Sequence, residues 1–576
     1  MESLTATAPA PRAAGPLSPS AYRDTFARDG LPPPDQWPEF VTDLPELAYP
    51  ERLNCAGELL DGTIVRFGAA RPCLYDAAGR MWTYGDLRER VDRIARVLVE
   101  DFGLVPGNRV LLRGPNAPWL AACWLAALKA GAVLVTTMPL LRAAELRTIV
   151  RTARVDLALC EERFTDELER VREDGAPELR VVTYGGAGSE LARRVAAAAS
   201  GAFPAVPTAA DDVALIAFTS GTSGEPKATL HFHRDVLAIA DTFSAHVLRP
   251  RPDDLFTGSP PLAFTFGLGG LLVFPLRAGA AALLLEKAAP RELFAAVAEH
   301  RATVLFTAPT AYRAALREID AFDLSSLRRC VSAGEALPAD TWRAFEAATG
   351  HRVIDGIGST EMLHVFISAA DDEIRPGATG KPVPGFRARV VDEAGRPVPD
   401  GVPGRLAVKG PTGCRYLADD RQRAYVVDGW NLTGDTYVRD ADGYFWYQAR
   451  SDDMIVTAGY NVAAPEVEQA VGRHPAVADC AVIGVPDAAR GSVVKAVVIP
   501  ADGFAPDGPE AAERLTREIQ TFVKAEIAPY KYPRLVEFVT ELPCSSTGKL
   551  QRGVLRAAHT LQPARPPRAS HPRGHA

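Results

Sequence analysis

The sequence contains no Cys-x-x-Cys pair. Its eight cysteines (Cys55, Cys73, Cys123, Cys160, Cys330, Cys414, Cys480 and Cys544) are scattered. That spacing gives neither a zinc site nor a redox motif, and it reads as reduced, buried thiols. Positive charge is not in excess: 64 Lys and Arg stand against 71 Asp and Glu, a net −7. This argues against a nucleic-acid or anionic-membrane surface, but not against one basic pocket for a small polyanion. Residues 1–20 are rich in Ala, Pro and Ser and lack a basic start followed by an apolar core. They read as a floppy tail rather than a signal peptide. The most apolar segment, residues 119–141, is interrupted by Lys129, Gly131 and Pro139. A core helix running into a strand is expected there, not a membrane span. There is no internal repeat and no Gly-x-x-x-x-Gly-Lys-Ser/Thr loop. A soluble, cytoplasmic protein is expected.

What is present is ordinary globular composition, 47% hydrophobic and 23% charged over 576 residues, enough for more than one core. The most informative stretch follows an apolar run at residues 213–218, which reads as a buried strand. It continues as Thr219-Ser220-Gly221-Thr222-Ser223-Gly224-Glu225-Pro226-Lys227. Glycines let backbone N–H groups face phosphate oxygens, hydroxyls donate hydrogen bonds, and lysine supplies a charge. Taken alone, the stretch fits a phosphate loop or a Ser/Thr/Gly surface loop.

Strand and helix patterns alternate from there in both directions. Thr83 with Asp86 three positions on predicts a capped helix, and Val91, Ile94, Ala95 and Leu98 continue it at helical spacing. Strands are expected at 109–112, 132–136, 181–183, 283–285 and 304–306, with a helix over 119–130. The alternation predicts α/β layers on largely parallel sheets. Proline-rich residues 22–51 read as an extended wrap. From about residue 385 short strands between Gly, Pro and Asp turns predict a β subdomain, at 387–391, 405–409 and 444–447. A boundary is expected at 450–453, then a helix over 465–472, a strand over 493–499 and a helix over 509–526. Residues 561–576 read as a second disordered tail.

Four more stretches carry chemistry. Gly356-Ile357-Gly358-Ser359-Thr360-Glu361 joins small residues to a hydroxyl and a carboxylate that suits magnesium. Leu432-Thr433-Gly434-Asp435 offers a carboxylate to a ribose diol, or by itself a hairpin turn. Arg450-Ser451-Asp452-Asp453 leads into Gly459-Tyr460-Asn461. Ser545-Ser546-Thr547-Gly548-Lys549 holds a lysine on a turn near the C-terminus.

In this order the five stretches resemble the adenylate-forming superfamily of acyl- and aryl-CoA synthetases, peptide-synthetase adenylation domains and luciferases. The resemblance spans about residues 21–558. It implies an α/β fold: a large N-terminal AMP-binding domain (21–450) of layered α/β subdomains plus a β subdomain, and a small mobile C-terminal α+β domain (451–560), between tails 1–20 and 561–576. It implies that Thr219, Ser220, Gly221, Thr222, Ser223, Gly224 and Lys227 guide the ATP phosphates. Gly334, Glu335, Ala336, Gly358 and Ser359 would line the nucleotide, and Asp435 with Arg450 would hold the ribose. Thr360 and Glu361 are implied as catalytic, Glu361 as the magnesium ligand, and Lys549 as the lysine that drives adenylation. Asp452 would be the hinge, and Gly459 and Tyr460 would meet coenzyme A.

The motif from Asp355 to His364 is similar to that of benzoate-CoA ligases, and residues 24–54 resemble 2-aminobenzoate-CoA ligases. Phe264, Phe266, Gly267, Ala333, Gly356, Ile357 and His364 are then implied in holding the acid, aromatics sandwiching a flat ring. The implied activity is an ATP-, Mg2+- and CoA-dependent aryl-CoA ligase for 2-aminobenzoate or benzoate, monomer or homodimer, with no nucleic-acid or membrane partner. Two alternatives stand beside it: an aryl adenylating enzyme that loads a carrier protein, and a non-catalytic nucleotide sensor. Two positions depart from the superfamily's usual pattern, Ile357 where an aromatic is common and Ala449 where glycine is.

Overall fold

The computed structural model describes residues 17–219, 226–450, 453–457, 460–487, 491–527, 531–544 and 550–560. They form two units, Met1–Thr433 with Val438–Tyr447, and Gly434–Tyr437 with Gln448–Ala576.

The first unit contains two large sheets. One has six strands: Arg180–Tyr184, Leu157–Glu161, Arg109–Arg113, Val133–Thr137, then β1 (Val213–Thr219) and β2 (Lys227–Phe232). The first five are parallel, but β1 and β2 pair antiparallel, with Thr219 opposite Lys227. The first four residues of β1 are buried, as its unbroken apolar run requires. The helix α1 (His233–Ile239) follows β2 directly, and Asp235 accepts from the Phe232 N–H at its start (2.9 Å).

The second sheet has nine strands. Its functional edge runs from β3 (Arg329–Ala333) through β4 (Val353–Gly358) to β5 (Val365–Ser368). β3 and β4 are parallel, with Ala333 opposite Gly356, while β4 and β5 are antiparallel. The expectation of parallel sheets therefore holds in the sheet centres and fails at the β2 edge of the first sheet and at both ends of the second. The short links between β1 and β2 and between β4 and β5 permit only hairpin pairing, since a parallel crossover needs a dozen or more residues.

Local signals behave as elementary chemistry dictates. Thr83 and Asp86 form a reciprocal capping box at the start of Tyr84–Glu100. Pro118–Lys129 opens on proline and is buried along most of its length, which excludes it as an exposed amphipathic helix. Trp37, from the expected wrap, packs on Phe232 with ring centroids 5.8 Å apart. Of the expected N-terminal tail, Ser18 and Ser20 lie in the described part and bond Asp211 and Asp212 at 3.1 and 2.5 Å. Leu432 to Asp435 is not a hairpin turn. It lies within the strand Trp430–Arg439, where Gly434 takes a positive φ of 78° that lets the strand pass through.

The second unit packs Ala464–Gly472 and Pro509–Glu526 over Val477–Asp487 and Gly491–Pro500 around Val467, Val471, Ile519 and Val523. Arg552 and Arg556 both donate to the buried Asp453, at 3.3 and 2.6 Å, and Arg552 also reaches Glu468 at 2.5 Å. The helix after position 549 is thus anchored to the residue after position 452. Seven of the eight cysteines are buried and Cys544 is exposed. Burial pushes the thiols of Cys160 and Cys330 up to about 12. No described helix is long and apolar enough to cross a membrane.

Candidate active site

The ends of the expected phosphate loop are fixed by the pairing of β1 with β2. Thr219 closes one strand and Lys227 opens the other; Ser220, Gly221, Thr222, Ser223 and Gly224 lie outside the described residues. Alternation along β2 puts Lys227, Thr229 and His231 on one face. The chain from Cys414 to Leu417 runs alongside: Leu230 N–H donates to Arg415 O (2.7 Å) and Leu417 N–H to Ala228 O (2.9 Å). Tyr416 therefore meets Lys227. The ammonium stands 3.4 Å from the phenol oxygen and 5.1 Å from the ring centroid, a cation–π contact.

Tyr416 in turn donates to Glu361 Oε1 at 2.7 Å. Burial first, then the charges of Cys414 and Glu361, push the phenol far above its ordinary value, so the hydroxyl keeps its proton and donates. Glu361 is 9% exposed, and Oε2 accepts no hydrogen bond among the described residues. A single carboxylate with one oxygen left for a ligand suits Mg2+, which takes one or two protein carboxylates and fills its shell with phosphates and water. No cluster of three or more His, Cys, Asp or Glu that could cage a metal occurs among the described residues.

The turn that carries Glu361 is tightly specified. Ser359 Oγ accepts from Met362 N–H (3.2 Å), Thr360 O from Leu363 N–H (3.1 Å), and Thr412 Oγ1 donates to Met362 O (2.7 Å). Leu363 sits at φ 68°, a left-handed conformation costly for a bulky side chain and sustained only by such surroundings. Glycine is required just before it: a Cβ on Gly358 would meet His364 O at 2.7 Å, and one on Gly356 would meet a Val365 methyl at 2.6 Å.

Three of the implied acid-binding residues, Ala333, Gly356 and Ile357, lie on the same sheet edge. Ala333 and Gly356 are register partners, as are Ile357 and Ile367. Phe266 lies in a short helix, Thr265–Leu268, capped by the half-buried Phe264. Gly267 is fixed there because a Cβ would strike Pro261 O at 2.1 Å. The Phe266 ring lies 5.7 Å from His364, which also meets Phe243 at 5.3 Å and Phe274 at 4.6 Å. His364 is 2% exposed. Burial drives it down to about 3, against a smaller upward pull from the Phe266 main chain, so the imidazole is neutral. Neither ring nitrogen has a hydrogen-bond partner among the described residues. Phe264 makes no ring contact of its own among them.

The nucleotide-lining positions are less concentrated. Gly334 (φ 94°) turns the chain out of β3, leaving Glu335 partly buried and Ala336 exposed. Asp435 is buried on Trp430–Arg439, and Tyr460 opens the strand Tyr460–Ala463 opposite Thr457. Lys549, Asp452 and Gly459 lie outside the described residues, as does the Arg450 side chain.

Sequence reading missed three residues. Tyr416 and His231 matter through the pairing of β2 with an irregular segment, which no local pattern signals. Asp355, the first residue of the Asp355–His364 motif but given no role of its own, is the third. Burial pushes its carboxyl up to about 8 against main-chain hydrogen bonds, and Oδ1 has no partner among the described residues. A raised folded-state value stabilises the fold fully below the ordinary 3.8, and that stability is lost as pH rises toward 8. Asp355→Asn should flatten the fall in denaturation midpoint across that window; an unchanged slope would assign the burial penalty elsewhere.

The two-unit α/β architecture is that of the adenylate-forming enzymes, and comparison with known proteins agrees. The profile of the AMP-binding enzyme family matches residues 63–416, and that of the AMP-binding enzyme C-terminal domain matches 466–549. The chain belongs to the AMP-binding enzyme family. It is 35% identical over 525 residues to benzoate–CoA ligase of Thauera aromatica, covering 89% of this chain and 98% of that protein. The crystal structure of the anthranilate CoA ligase AuaEII with anthranoyl-AMP is 34% identical, with TM-score 0.82 over 90% of this chain and 99% of that one. A benzoate CoA ligase from Burkholderia xenovorans LB400 gives TM-score 0.79 at 34% identity, over 87% and 99%.

Proposed function

We propose that this AMP-forming acid–CoA ligase acts on a benzoate-type acid, with 2-aminobenzoate or benzoate as the substrate. The acid carboxylate attacks the α-phosphorus of ATP, the bond to the β,γ-diphosphate breaks, and an aryl-AMP anhydride forms. The thiol of coenzyme A then attacks the aryl carbonyl, AMP leaves with the bonding electrons, and the thioester remains.

Both reactants of the first step are anions, so the site must offset charge where it develops. Lys227, steered by Tyr416, serves the departing diphosphate with the loop residues 219–224, and Thr360 contacts phosphate. Magnesium, when bound, supplies further positive charge, and Glu361 would hold it. Lys549 is the cation for the attacking carboxylate and α-phosphate. Asp435 and Arg450 take the ribose, while Gly334, Glu335, Ala336, Gly358 and Ser359 frame the nucleotide. Asp452 is the hinge and Gly459 with Tyr460 the coenzyme A contact of the second step. Holding both reactants at once makes the attack effectively intramolecular.

The observation that carries the aryl reading is the cage of Phe243, Phe266 and Phe274 around an unpartnered, neutral His364. Such a cage favours a flat ring, and its imidazole can meet one polar substituent. Gly267, Ala333, Gly356, Ile357 and Phe264 are the remaining positions of the acid site. A panel of benzoates with ATP and coenzyme A, read as AMP formed, tests this. 2-Aminobenzoate and benzoate should lead it; turnover of short aliphatic acids alone would overturn the aryl reading. His364→Ala should reduce kcat/KM for the preferred substituted acid about 10- to 100-fold more than for its unsubstituted parent. Equal loss for both would remove His364 from substituent recognition. With His364 neutral down to about 3, it should add no inflection to the pH profile near neutrality.

A further inference from the structure

We infer that His231 is a positioning residue for adenylation, acting through the main chain of Thr360. The inference rests on the reading of Thr360 and Glu361 as ATP-handling residues. His231 is wholly buried on β2, and its Nε2 lies 2.8 Å from Thr360 O. A carbonyl only accepts, so Nε2 carries the proton and donates. That carbonyl also closes the Thr360–Leu363 turn by accepting Leu363 N–H. The His231 bond is thus a second restraint on a turn whose Leu363 holds a strained left-handed conformation.

The placement is specific. His231 shares a face of β2 with Lys227, so one strand carries the lysine that meets Tyr416 at one end and the imidazole that grips Thr360 at the other. Glu361, one residue after Thr360, accepts from Tyr416. Phosphate-loop strand, carboxylate and threonine form a closed loop of bonds, and removing His231 opens it at Thr360.

The back of the ring makes no hydrogen bond among the described residues. Nδ1 faces Asp235 at 3.8 Å, and Asp235 is paired with the fully buried Arg415 while capping α1. Arg415 is the chain neighbour of Tyr416 and donates through Nε to Leu230 O at 3.3 Å. The imidazole therefore sits between a fixed charge pair and the turn it holds, with no exposed surface of its own.

The test compares His231→Leu, which keeps bulk but donates nothing, with His231→Gln, whose Nε2 can replace the donor. ATP–diphosphate exchange, ATP affinity by titration, the KM of the aryl acid and thermal melting are read for both. His231→Leu should lower exchange kcat about 10- to 100-fold and weaken ATP binding, with the aryl-acid KM little changed. His231→Gln should recover most of both losses at a similar melting temperature. Normal kcat and ATP affinity in His231→Leu, or a Gln variant as impaired as Leu, would overturn the inference. If wild type exchanges with no benzoate, the aryl reading fails. The ATP affinities of the two variants against wild type still decide for or against His231.

Discussion

Glu361→Gln should slow ATP–diphosphate exchange by about 10²- to 10³-fold, the scale of losing one preorganised electrostatic contact in a closed site. The substitution keeps an oxygen for the Tyr416 hydroxyl and nearly the same volume, so the turn, including the left-handed Leu363, should stay in place. The melting temperature should accordingly move little. What is lost is the formal charge on the oxygen that Tyr416 does not occupy. The Mg2+ concentration for half-maximal exchange should therefore rise, and the KM of the aryl acid should not. Exchange within threefold of wild type at low Mg2+ would show that another group holds the metal. A large fall in melting temperature would instead make Glu361 a structural residue whose activity loss is secondary.

Arg415→Met should destabilise the first unit by about 3–5 kcal/mol, because it strands a buried carboxylate. Asp235 and Arg415 both have fully buried side chains and pair directly. Burial alone pushes the Asp235 carboxyl up, but the Arg415 charge, with contributions from His231 and Arg234, brings it below its ordinary 3.8, so the pair is ionised. A lowered folded-state value stabilises the fold above the ordinary value and is lost as pH falls through the folded one. Without Arg415 the sign reverses: burial dominates, the Asp235 value rises above its ordinary 3.8, and stability is lost as pH rises toward neutrality instead of as pH falls. Urea titrations at several pH values would show this as a midpoint that falls most at neutral pH. The double variant Asp235→Leu/Arg415→Met should regain part of the loss, since an apolar pair of similar volume is often as stable as a buried ion pair. It would still lack the Asp235 bond at the start of α1. A single-variant loss under about 1 kcal/mol would mean that water reaches the pair.

These residues also show where sequence reading stops. β1, the capped helix Tyr84–Glu100 and the helix Pro509–Glu526 were legible, because each depends on neighbours within a turn or two. So were the stretches bearing Glu361 and His364, where residue types and order carry the signal. Tyr416 was not, although it contacts two residues that were named. Its segment has no regular structure and joins β2 through contacts with residues far away in the chain. His231 reads from sequence as one apolar-strand residue among others, and its function lies in which carbonyl it reaches. The Leu432 to Asp435 turn failed for a related reason: glycine beside aspartate marks turns, yet a glycine at φ 78° also lets a strand bend and continue.

The distribution of thiols has a practical side. Burial shields seven cysteines, and Cys544 alone is exposed. A maleimide dye or nitroxide added to the unmodified protein would therefore settle at one place, in the second unit, where Cys544 and Leu550 bridge the ends of the segment that contains Lys549. The wild-type chain thus comes with a built-in attachment point for a spectroscopic reporter at the end of the segment that contains Lys549, the lysine proposed for adenylation. The order of ATP, acid and coenzyme A binding can then be followed optically without first engineering the protein.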